Sequence, residues 1–170
     1  MRIAIIVKSE SSDSNTATVI VALKEQLAQH EIEVVSLDHV KIAKCFSCRF
    51  CYANDGRCAQ KNDDAESVFA VIQKANVAIF VSPKGWFQNG LQFKSIQNRI
   101  LARGKDAFQI QKTALIQTVS DDISYDDVIY KYHSLLSIIP WDNIGEFKLA
   151  EDDERQRIEE CASDIAKKVI

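Results

Sequence analysis

Five short apolar runs, separated by longer amphipathic stretches, confine this 170-residue chain to a narrow set of folds. Ile3 to Val7 is apolar without a break, as a strand buried on both faces must be. Glu33 to Leu37 reads as the second strand and Val77 to Val81, ended by Ser82-Pro83, as the third. Thr113 to Val119 and Trp141 to Leu149, the latter after Pro140, complete the set. Between them Val19, Ile20, Leu23 and Leu27 recur with a helical period. Asp63 and Glu66 are spaced as a capping box ahead of Val68, Val71 and Ile72. Phe93, Ile96 and Ile100 predict a helix ending near Gly104. Tyr125, Val128, Ile129, Tyr132, Leu135 and Leu136 mark another. The last, from about Asp152, carries Ile158, Cys161, Ile165 and Val169 in one stripe. Such alternation predicts a parallel sheet covered by helices on both faces, with right-handed crossovers. Five strands in a chain of this size suit a three-layer α/β sandwich with sheet order 2-1-3-4-5. No repeat, low-complexity stretch or linker interrupts the pattern, so one domain is expected over residues 1–170.

One long irregular segment, about 44–61, stands out, because long loops in compact domains tend to carry function. It holds Cys45, Cys48, Cys51 and Cys58 in a C-x2-C-x2-C-x6-C pattern. A chain this long buries enough surface to fold without staples. The N-terminal Met-Arg-Ile-Ala-Ile-Ile-Val turns apolar too early for a signal peptide, so a cytoplasmic chain with reduced thiols is expected. Clustered cysteines there are more often metal-binding or redox-active than disulfide-bonded. Four thiolates suit an iron–sulfur cluster, a zinc ion, or a set of free thiols. Phe46, Phe50 and Tyr52 either shield a bound group or anchor the loop, and Cys161 reads as a small core residue. His30, His39 and His133 stand apart from the cysteines and read as solvated or core residues. A net charge of −3 with scattered Lys and Arg argues against nucleic acid, and no apolar run is long enough to span a membrane.

The loop after the first strand, Lys8-Ser9-Glu10-Ser11-Ser12-Asp13-Ser14-Asn15-Thr16, opens a helix. Free backbone N–H groups and the helix dipole there favour an anion, and the hydroxyl and amide side chains add donors. Ser14 or Asp13 as a simple helix cap is the competing reading. Glu10 and Asp13 oppose a phosphate.

Three stretches resemble the NADPH-dependent FMN reductases and iron–sulfur flavoproteins. Ser9-x-Ser11-x-x-Ser14-Asn15-Thr16 is similar to their phosphate loop, with Glu10 in place of a glycine and Ser12 in place of a proline. Ser82-Pro83, followed by Lys94 and Arg99 at the family's spacing, resembles a second stretch, with Gly85 for the usual tyrosine and Asn98 for the usual aspartate. The cysteine run, with Gly56 and Asp63-Asp64, resembles the third.

The resemblance implies a flavodoxin-like fold and an FMN-dependent oxidoreductase or electron-transfer flavoprotein. FMN would rest its phosphate on Ser9, Ser11, Ser14, Asn15 and Thr16. Its ring would lie against Ser82, Pro83, Lys84, Gly85, Trp86 and Phe87, with Trp86 stacking and Lys84 near the pyrimidine end. Thr118 and Ser120 would supply the third loop, which lacks the glycine common in relatives. Cys45, Cys48, Cys51 and Cys58 would hold a [4Fe-4S] cluster. The donor would be NAD(P)H or a ferredoxin, and the assembly a homodimer or homotetramer. Hydride and electron transfer belong to the flavin, so no acid–base side chain is required. Glu10, Asp13 and Gly85 favour the alternative, a flavin-free subunit whose cysteine loop, zinc-bound or free, acts as an interaction module.

Overall fold

A computed structural model describes residues 1–7, 15–83, 91–119, 126–150 and 153–169. Five parallel strands, β1 (Arg2–Val7), β2 (Glu31–Ser36), β3 (Val77–Pro83), β4 (Lys112–Val119) and β5 (Asp142–Ala150), form one sheet in the order β2-β1-β3-β4-β5. This is the flavodoxin-like order that the alternation predicts. The helices described are α1 (Asn15–Gln26), α2 (Ala65–Lys74), α3 (Leu91–Arg103), α4 (Asp126–Leu136) and α5 (Arg155–Val169).

Strand alternation sorts the core into two layers. Ile3, Ile5 and Val7 of β1 face Val19 and Leu23 of α1 and Ile158 and Ile165 of α5. Ala4 and Ile6 face the opposite layer, with Phe69 and Ile72 of α2, Ile96 and Ile100 of α3, and Tyr132 and Leu135 of α4. Each fully buried Ile or Leu contributes about 2 kcal/mol through removal of apolar surface from water. Cys161 of α5 belongs to the first layer, and burial pushes its thiol up to about 12. No helix among the described residues is long and apolar enough to cross a membrane.

Chain direction across the sheet reverses at β1. The step from β1 to β2 goes one way over the α1 face, whereas β3, β4 and β5 follow the other way beneath the α2–α4 face. Reversing direction and face together keeps one crossover hand. It also leaves a crevice at the carboxyl ends of β1 and β3, where open sheets of this kind bind ligands.

Strand limits differ from expectation by one or two residues. β2 starts at Glu31 because Arg2 of β1 pairs with it in register and in a 3.0 Å ion pair. Leu37 lies just beyond, its N–H donating to Val7 O at 2.7 Å. The capping box is corrected outright. Asp64 is the residue ahead of α2, and it makes no side-chain cap bond. Glu66 pairs with Arg103 at 2.6 Å. Asp63 receives Arg99 through two N–H donors at 2.6 and 3.1 Å, and accepts the Ala65 N–H at 3.3 Å without a reciprocal bond from Glu66.

That pair pins the cysteine loop. Both side chains are only 3% exposed. Asp63 also accepts the N–H of Ala43, Asp64 accepts that of Lys41, and Ser95 Oγ of α3 accepts that of Cys45. Burial would raise the Asp63 carboxyl, but Arg99 and the Ala43 N–H hold it below the usual carboxylate range. Gly56, at φ +74°, lets the loop's far side press on Arg103, whose guanidinium sits 4.0 Å over the Phe69 ring. Gly104, at φ +73°, caps α3 with nothing within 4 Å of where a Cβ would stand.

Two outcomes follow. Gly56→Ala meets the Arg103 side chain as well as an unfavourable φ, and is expected to cost about 2–3 kcal/mol in urea unfolding, against about 1 kcal/mol for Gly104→Ala. Equal losses would remove the role given to the Gly56 contact. Asp63→Asn leaves Arg99 buried without a counter-charge and should cost about 3–5 kcal/mol at pH 7. Because the Asp63 carboxyl is lowered in the fold, its contribution is complete above the unfolded value near pH 4 (about 3.9 for a free Asp) and fades as pH falls further. The gap between wild type and variant should therefore close on acidification. A gap that holds steady to about pH 2 contradicts the assignment.

Candidate active site at the carboxyl edge of the sheet

Polar residues interrupt the apolar sheet at the carboxyl ends of β3 and β4, next to the strand pair where winding reverses. Ser82 is the neighbour of Gln117 in the β3–β4 register, and Pro83 of Thr118. By alternation Ser82 and Gln117 continue the face of Phe80 and Leu115, and Thr118 continues that of Ile116. Thr16, at the start of α1, lies 3.2 Å from Thr118 through their hydroxyl oxygens. Asn15 donates its amide to Ala150 O at 2.8 Å, tying α1 to the end of β5. Thr16, Ser82, Gln117 and Thr118 are all buried.

Gln117 is the residue that sequence reasoning missed. Its Oε1 is buried with no hydrogen-bond partner. An orphaned buried acceptor costs roughly 1–3 kcal/mol, so the position calls for a donor from outside the described fold. In sequence it looks like one polar residue in a strand; only the register beside Ser82 reveals its place.

Of the expected FMN residues, Asn15, Thr16, Ser82, Pro83 and Thr118 converge on this edge. Ser9, Ser11, Ser14, Lys84, Gly85, Trp86, Phe87 and Ser120 lie outside the described residues, as do Glu10 and Asp13.

All four loop cysteines line one cavity of about 210 Å³, together with Phe46, Arg49, Tyr52, Asn98 and Arg99. No disulfide joins them. Backbone N–H groups donate to two of the sulfurs, Ser47 to Cys45 and Gln60 to Cys58, each at 3.4 Å. Burial pushes the Cys45 thiol up. The Ser47 N–H, the Asn98 and Ser47 side chains and the Arg99 charge outweigh it, and bring the thiol below its ordinary value. Arg99 stands close enough to feel both Cys45 and Cys58. These groups stabilise the Cys45 thiolate.

Among the described residues no three His, Cys, Asp or Glu side chains are placed to hold a metal ion. Phe46, Phe50 and Tyr52 are 70%, 43% and 65% exposed, and Phe46 and Tyr52 line the cavity. Three non-glycine residues here, Ser47, Arg49 and Asp55, adopt φ of 55°, 60° and 51°. Left-handed backbone at such residues is sparsely populated and tends to persist at functional loops. His39 is exposed and His30 half-buried. His133 is exposed and bonds Glu146 at 2.6 Å.

The fold is shared with several solved proteins. An NAD(P)H:quinone oxidoreductase from Methanothermobacter marburgensis aligns at TM-score 0.70 and 16% identity over 99% of this chain and 96% of its own. The Smu.1420 protein of Streptococcus mutans UA159 aligns at 0.70 and 17%, over 99% and 100%. A flavodoxin from the domain Archaea aligns at 0.55 and 11%, over 99% of both chains. At these identities the likeness speaks to fold alone. No curated protein matches the chain in sequence. The sequence profile of the NADPH-dependent FMN reductases matches residues 1–151, nearly the whole chain, and the protein belongs to that family.

Proposed function

We propose that the protein binds FMN at the carboxyl edge of its sheet and works as an FMN-dependent oxidoreductase. The observation that carries this reading is the orphaned Gln117 acceptor, paired with Ser82 near the carboxyl ends of β3 and β4. A buried carbonyl lacking a donor fits a ligand rich in O–H and N–H groups, and FMN is one. Asn15 and Thr16 would hold its phosphate together with Ser9, Ser11 and Ser14. Ser82, Pro83, Lys84, Gly85, Trp86, Phe87, Thr118 and Ser120 would border the ring. Bound flavin supplies hydride and single-electron chemistry. The chain's own residues orient it and keep water away.

The electron donor fits NAD(P)H by family membership, with a ferredoxin as the other candidate. We assign a [4Fe-4S] cluster to Cys45, Cys48, Cys51 and Cys58 on their sequence spacing and on the one cavity that all four line. A homodimer or homotetramer in the cytoplasm completes the proposal. One observation favours the flavin-free alternative: Asn15 and Thr16 already bond within the protein, to Ala150 and Thr118.

Spectroscopy on protein purified without oxygen separates the readings. A flavin band, with iron at about four atoms per chain, supports the proposal. A colourless, iron-free preparation that takes up no added FMN overturns it. Replacing Ser14 and Thr16 together by Ala should weaken FMN binding by about 100-fold, as expected from losing two charge-assisted hydrogen bonds. Gln117→Leu should weaken it by about tenfold, or roughly 1.4 kcal/mol. Fluorescence titration with FMN reads both, and unchanged affinity in the double variant would refute the phosphate assignment.

A further inference from the structure

The charge of this chain is segregated in a way its total conceals. Residues 41–61 carry Lys41, Lys44, Arg49, Arg57 and Lys61 against Asp55 alone, a balance of +4. With −3 for the whole chain, that leaves −7 for everything else. All five cations are exposed, and none forms an ion pair with a described residue. The carboxylate next to the loop's base, Asp63, is already matched by Arg99.

The same segment exposes Phe46, Phe50 and Tyr52, three of the seven large apolar side chains left open to water among the described residues. A basic segment that exposes three aromatic side chains has the composition of a protein interface, where Phe, Tyr and Arg are enriched. The surface is also pre-organised. The loop that bears it is held by the Arg99–Asp63 pair and by backbone bonds to Asp63, Asp64 and Ser95. Little ordering entropy is left to lose on association.

The geometry points to residues 41–61 as the docking face for a protein partner whose contact surface is acidic around an apolar centre. That the partner carries electrons rests on the oxidoreductase reading above; that it is acidic rests on the charges alone. A second copy of this chain is disfavoured as occupant. Two-fold pairing through this face would set +4 against +4.

The test uses an oxidised plant-type [2Fe–2S] ferredoxin, a small acidic carrier, as probe in isothermal titration calorimetry. One-to-one binding is expected, weakening at least tenfold between about 20 and about 300 mM salt. Lys44→Glu, Arg57→Glu and Lys61→Glu together should weaken it by roughly 30- to 100-fold at low salt and flatten the salt dependence. Their Gln counterparts should fall between. Phe50→Ser should weaken binding about tenfold at both salt levels. These side chains are exposed and lie outside the thiol cavity, so NAD(P)H-driven flavin reduction should not change. Affinity unaltered in both the Glu and Ser variants overturns the proposal. So does equal binding of a 20-residue oligothymidine, or self-association of the chain that the same Glu substitutions abolish. A chain that holds no flavin yet binds the probe with this charge dependence keeps the docking face and removes the oxidoreductase reading. Intact flavin reduction with probe binding blind to these charges does the reverse.

Discussion

The Arg99–Asp63 ion pair fixes the direction of the least regular part of this molecule. Twenty-eight residues separate the end of β2 from the start of α2, and only a short 3-10 turn, Phe50–Ala53, is regular among them. A segment of that length has little local reason to settle into one shape. The planar guanidinium offers two parallel donors to one carboxylate, which sets orientation as well as distance. A buried pair of this kind need not outdo two well-packed apolar residues in stability. Its value here is geometric: it holds the loop against α3, where the four sulfurs share a cavity with Phe46 and Tyr52.

Much of the fold was legible from periodicity. Continuous apolar runs marked strands buried on both faces, and the stripe Ile158, Cys161, Ile165 and Val169 of the last helix lies in the core as read. The misplaced strand ends share a cause. A strand's limits depend on which neighbour it bonds to, as when Arg2 extends β2 back to Glu31. The capping-box reading of Asp63 and Glu66 went wrong for the same kind of reason. Local spacing favours a cap, yet each carboxylate has a partner 36 or 37 positions away on α3. Nothing nearby in sequence announces such a partner.

The site was legible in part. Thr16 and Thr118 were each singled out, and the structure brings them into contact across 102 positions. Gln117 was invisible because its significance lies in what it lacks, and a missing partner has no sequence signature. The loop's basic character was equally hidden by a modest overall charge and by lysines that look dispersed along the chain. All five cations of residues 41–61 are exposed in the fold.

Cys161 differs from the other four cysteines in one respect with a consequence of its own. Its sulfur lies in the layer between α5 and the sheet, where burial keeps it protonated through the physiological range. Reagents that capture thiolates thus meet two populations in one polypeptide, a surface set and an interior witness. The interior one reacts only when the last helix leaves the sheet, so the chain carries a built-in gauge of its own breathing.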